Sequence, residues 1–143
     1  MTPKHLARAE AELRRFALAF PETYEEFPWE HRAIKIRGKT FLFLYRESEF
    51  LSLSVKLPMS GKTALGLPFA APTQYALGKS GWVTARFDAK DAVPVEMLRE
   101  WVEESFRAIA PKRLLANLER DQSDRPARRP ARPSATARKQ KRR

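Results

Sequence analysis

The sequence has no cysteine. That excludes a disulfide framework, a thiolate nucleophile and a Cys-ligated zinc site. Histidine is nearly as scarce, with only His5 and His31. Neither lies in a serine-based or metal-ligand pattern, so no nucleophile–base pair is legible, and no enzyme activity or cofactor is expected. No apolar run approaches the ~18–20 residues of a membrane span. Met1-Thr2-Pro3-Lys4-His5 leads into alternating charges rather than a secretory leader. These absences fit a cytoplasmic protein with no membrane role.

What is present is one domain and a tail. A hydrophobic fraction of 43% in 143 residues is enough for one core. The net charge of +11 is unevenly spread: residues 120–143 carry ten Lys/Arg against two Asp, leaving residues 1–119 only mildly basic. Residues 1–119 therefore read as the folded domain. Residues 120–143, rich in Arg, Pro and Ala, hold too little apolar bulk to repay ordering and read as a disordered basic tail.

Apolar spacing predicts a helix over residues 2–19, capped by Thr2 and opened by Pro3, with Leu6, Ala9, Leu13, Phe16, Ala17 and Phe20 on one stripe. Pro21 ends it, and residues 21–31 read as an acidic and aromatic loop. Residues 32–56 predict a three-stranded antiparallel meander turning at Gly38-Lys39 and Glu47-Ser48-Glu49. Strict alternation puts Ile34, Ile36, Phe41, Phe43, Tyr45, Leu51, Leu53 and Val55 on the core face. Lys35, Arg37, Thr40, Leu42, Leu44, Arg46, Phe50, Ser52, Ser54 and Lys56 fall on the other. A short helix is expected within 59–66, then strands 73–77 and 82–87 joined by a Gly78–Gly81 turn. In the second, Val83, Ala85 and Phe87 face the core, and Trp82, Thr84 and Arg86 face away. Val95, Leu98, Trp101, Val102, Phe106 and Ile109 define a helix over 94–109, in which Ser105 reads as a small packing residue. A last turn or short helix fits 112–120. The result is an α+β plan: two layers, an antiparallel sheet of about five strands, and helices on one face.

Several segments carry a resemblance. Phe20-Pro21-Glu22-Thr23, Phe27-Pro28-Trp29, Lys35 to Phe43, Leu51 to Pro58, Gly78-Lys79-Ser80-Gly81-Trp82-Val83 and Trp101 to Arg107 resemble the MmcQ/YjbR family of small bacterial proteins. The likeness covers roughly residues 5–115. It implies a compact α+β domain of the secretion-chaperone-like type, in an arrangement read as a double-wing DNA-binding motif. Many members carry Asn-Lys-x-x-Trp before the late strand. Here Gly78 replaces the Asn, while Lys79 and Trp82 are kept.

The expected site is a basic sheet face. Lys35, Arg37, Lys56 and Arg86 would project away from the helices, with Lys39 and Lys79 at turn tips, where cations can track phosphates. An exposed Trp82 could stack on an unpaired base. In the tail, Arg128, Arg129, Arg142 and Arg143 stand among the cations that can release counterions from DNA or RNA without a fold. The competing reading is a solvated sheet face with edge-protecting lysines. Leu42, Leu44 and Phe50 on the same face suggest a different role, a protein-interaction or dimerising module. Gly78-Lys79-Ser80 is not a nucleotide loop: position 73 is Thr rather than Gly, and a strand pattern follows. Glu22, Glu25, Glu26, Glu30 and His31 form an acidic cluster with no metal-ligand spacing, read as a solvated loop.

Overall fold

The computed structural model describes residues 3–27, 31–47 and 49–124. The chain divides into two compact units, residues 1–109 and 110–143.

The first unit is a six-stranded sheet with helices on one face. Helix α1 spans Lys4–Leu18, followed by β1 (Thr23–Glu26), β2 (Arg32–Ile36), β3 (Lys39–Glu47) and β4 (Phe50–Lys56). The short helix α2 (Gly61–Ala64) and strand β5 (Ala70–Pro72) lead to a 3-10 turn at Tyr75–Ser80, strand β6 (Trp82–Asp88) and helix α3 (Val95–Ile109). Every neighbouring pair is antiparallel, in the order β1-β2-β3-β4-β6-β5. The second unit holds α4 (Lys112–Asp124). It runs past the boundary expected at residue 119, to Asp124.

One extra strand raises the count from about five to six, and one expected strand lies elsewhere. Thr23–Glu26 pairs with β2 although its residues are acidic, since edge strands tolerate charge. The segment read as strand 73–77 is instead the 3-10 turn, and the pairing strand lies earlier, at Ala70–Pro72. Pro72 is tolerated there because β5 is an edge. Helix α1 begins at Lys4 with Pro3 before it; the Thr2 cap lies outside the described residues.

The register of β3 departs from strict alternation. Lys35 pairs with Thr40, but Ile34 pairs with Leu42, leaving Phe41 as an extra residue in a bulge. Phe41 therefore stays on the helix side, its ring edge-on to Phe106 of α3 at 5.2 Å. Beyond it the phase flips. Leu42, Leu44 and Arg46 stand opposite Val55, Leu53 and Leu51 on the helix-covered face, while Phe43 and Tyr45 turn to the other. Leu42 and Leu44 are fully buried, so the docking contact expected of them is a core contact instead. The run Phe-Leu-Phe-Leu-Tyr is apolar at both odd and even positions, so alternation alone does not reveal the flip.

The core lies between the sheet and α1 and α3. Leu6, Ala9, Leu13 and Ala17 supply one helix face, and Leu98, Trp101, Val102 and Phe106 the other. Phe20 stacks on Phe106 with centroids 4.4 Å apart. Ser105, fully buried, does more than pack. Its hydroxyl donates to the Phe41 carbonyl (2.6 Å) and accepts from the Lys56 backbone N–H (2.9 Å). One helix side chain thus satisfies a carbonyl at the bulge and an N–H at the end of β4. Its neighbour Glu104 accepts from the backbone N–H groups of Met59 and Ser60 and from the Ser60 hydroxyl, tying the approach to α2 onto α3.

Candidate nucleic-acid interface

Antiparallel pairing gathers cations at one end of the sheet. The Arg37–Gly38 turn joins β2 to β3, with Ile36 opposite Lys39 and Lys35 opposite Thr40. This places the turn one residue earlier than Gly38-Lys39; Arg37 and Gly38 both have positive φ, 52° and 82°. Beside it, β4 ends at Lys56, which pairs with Trp82 at the start of β6. Lys79 lies three residues before Trp82, in the 3-10 turn. Lys35, Arg37, Lys39, Lys56 and Lys79 thus share one end of the fold. Lys39 and Lys79 are exposed.

Strand β1 changes the character of two of these cations. Glu26 accepts from Lys35 at 2.9 Å, and Glu22 accepts from Arg37 at 2.6 Å. Each hydrogen bond raises the pKa of its cation, and Arg37 lowers that of Glu22. Lys39, Lys56 and Lys79 have no carboxylate partner among the described residues. Within the segment read as a solvated acidic loop, Thr23–Glu26 is therefore a charge-matched strand, while Glu30 lies outside the described residues. The third acid, Glu25, points to the helix side. There it accepts from two nitrogens of Arg14, Nε and Nη2 (2.8 and 2.9 Å), and one of Arg32 (2.9 Å), and its pKa is lowered chiefly by Arg14.

Glu10 of α1 extends this network, accepting from Arg32 (3.1 Å) and Arg46 (2.6 Å). It is buried. Sequence reasoning missed it, although a signal was present: Glu10 follows Leu6 by four and precedes Leu13 by three, inside the apolar stripe. A carboxylate there needs a cation.

The sheet face away from the helices holds a second cluster. Tyr45, Ser52 and Arg86 stand in one cross-strand row, with Phe43, Ser54 and Thr84 in the next. Tyr45 meets Phe50 edge-on at 5.6 Å and stacks on His31 at 4.1 Å; its hydroxyl bonds to Glu47. The Arg86 guanidinium lies over the Phe50 ring, 3.8 Å from its centroid. Shallow depressions flank Arg86 on either side, with Asp88 lining both. Trp82 is on this face as expected but is not an exposed stacking platform. It is 7% exposed and rests against Phe43 at 5.6 Å.

The register thus unites five predicted cations at one end and sets Arg86 apart, four residues along β6 among the aromatic rings. Arg128, Arg129, Arg142 and Arg143 lie outside the described residues. Among those described, no cluster of three or more His, Asp or Glu could hold a metal ion. No helix among them is long and apolar enough to cross a membrane.

A YjbR family model matches residues 18–108. The chain is also similar to solved structures. A Deinococcus radiodurans protein, DR2400, whose domain is described as DUF419, is 26% identical, with a TM-score of 0.55 over 67% of this chain and 74% of that one. A Pseudomonas syringae protein is 16% identical, with a TM-score of 0.53 over 68% of this chain and 96% of its own, a likeness of fold. No curated protein matches the sequence.

Proposed function

The chain belongs to the YjbR family, and from that premise we propose that it is a non-catalytic nucleic-acid-binding protein whose lysine-bearing sheet end contacts the phosphate backbone. The observation that carries this reading is the convergence of Lys39, Lys56 and Lys79 at one sheet end without carboxylate partners among the described residues. Cations fixed on strand ends and tight turns can follow a phosphate path, which positions a protein on nucleic acid without reading sequence. Lys35 and Arg37 contribute less, because Glu26 and Glu22 already engage them. Those pairs are exposed on the acidic side and worth little, so a phosphate can compete for the cations. The arginines of residues 125–143 add affinity that is sequence-independent and steeply salt-dependent.

The test is binding of a fluorescent DNA duplex by the full chain across a salt series, with Lys39, Lys56 and Lys79 changed together to Glu. The expected outcome is about tenfold weaker binding or more at low salt, a shallower salt slope and an unchanged melting curve. A normally folded variant that binds as tightly as wild type rejects the reading.

A second reading, a protein-interaction or dimerising module, is favoured by one observation. Phe43, Tyr45 and Phe50 are only half-buried on a face that neither α1 nor α3 covers. Salt-insensitive self-association in sedimentation experiments would support it.

A further inference from the structure

We infer that the centre of the sheet face opposite α1 and α3 is a base-stacking surface for single-stranded nucleic acid, with Tyr45 and Phe50 as its platforms. The inference rests on the nucleic-acid reading above and names the form of the ligand.

Tyr45 and Phe50 sit on adjacent strands with ring centroids 5.6 Å apart, and both are half-buried. Arg86 extends the surface onto β6, its planar guanidinium 3.8 Å from the Phe50 centroid. A guanidinium so placed can itself stack on a base. His31 lies flat on Tyr45, the two rings 4.1 Å apart and 23° from parallel, so a base stacking on that face takes the place of His31. Between the platforms and the lysine end, the Phe43 ring lies beside a pair of hydroxyls. The Ser54 hydroxyl bonds to Thr84 at 2.7 Å, and Thr84 to Thr73 at 2.9 Å. Rings beside hydroxyls suit a ligand with flat faces and hydrogen-bonding edges better than an aliphatic protein surface, which would leave those hydroxyls without water.

Charge sets the direction of the strand. Lys56 lies on the same face of β4, four residues, about 13 Å, from Ser52 in the Tyr45 row and six residues, about 20 Å, from Phe50. Glu47 and Asp88, which pair with Phe50 in the next row, stand on the other side. Phosphates are therefore drawn from the rings towards Lys56 and repelled in the opposite direction. A duplex keeps its base faces within its own stack, so only unpaired bases can use the rings.

The experiment compares a labelled oligothymidylate with a duplex of equal length, bound to full-length protein at raised salt, where purely ionic contacts fade. The variants are Tyr45→Leu with Phe50→Leu, and Phe50→Leu alone, which keep apolar bulk but remove the rings. The expected result is tighter binding of the single strand than of the duplex. The double variant should lose about tenfold or more on the single strand and change little on the duplex, with the single variant intermediate and both melting as folded proteins. A single strand bound no better than the duplex, or unaffected by the Leu changes, overturns the inference and leaves the phosphate-contact reading standing. Salt-insensitive dimers lost in the Leu variants would assign the face to a second copy and overturn it as well. Failure of the wild type to bind either ligand even at low salt overturns both readings.

Discussion

Ser105 holds one of the most consequential side chains in the core. Its hydroxyl serves the Phe41 carbonyl and the Lys56 N–H, two backbone groups on neighbouring strands. Ser105→Ala leaves both without this partner in a site closed to water. The expected cost is about 1–3 kcal/mol, read as a lower denaturant midpoint at unchanged slope. Glu25 carries a different liability. Arg14, and then Arg32, hold its carboxyl below the ordinary range. A depressed folded pKa contributes stability that is present above the unfolded value, near 4.3, and is lost as pH falls through the folded value. Stability should therefore decline on acidification below about pH 4.5. Glu25→Gln should be less stable than wild type at neutral pH and show a weaker decline, as measured by urea unfolding at a series of pH values.

At the scale of elements, the helices were legible because their apolar stripes recur at a single period. Leu6, Leu13 and Ala17, like Leu98, Val102 and Phe106, are buried as spaced. Strands β2, β3, β4 and β6 were legible in existence, but β3 was not legible in phase. The bulge at Phe41 depends on Phe106 and Ser105, which are distant in sequence and meet it only in the folded sheet. Strand β1 was hidden because its acids find partners on α1 and β2, which local propensity does not register. The β2–β3 hairpin turns one residue earlier than expected. Both turn residues have positive φ, and nothing lies within 4 Å of a methyl placed on Gly38. Gly38→Ala should consequently cost about 1–2 kcal/mol through backbone strain alone, visible as a lower melting temperature with a native-like circular dichroism spectrum.

For the whole molecule, the sequence displayed the cations but not their company. Lys35 and Lys39 read alike from their positions, yet Glu26 occupies one and no carboxylate among the described residues occupies the other. Trp82 read as exposed because strand alternation assigns a face and not a depth; Phe43, moved across the sheet by the bulge, lies against it. The placement of Lys39, Lys56 and Lys79 followed from register, which required knowing that β4 pairs with β6.

That same register makes the sheet electrically lopsided. One end carries Lys39, Lys56 and Lys79. At the other, Glu47, Glu49, Asp88 and Asp91 outnumber Arg46, Arg86 and Lys90. Such a charge separation is a dipole lying along the strands, and it exerts a torque in the field of any polyanion. On the proposed reading the sheet turns lysine end first while the molecules are still apart. Part of its recognition then lies in the collision itself: added salt lowers the frequency of productive encounters, and stacking, where it occurs, sets how long each one lasts.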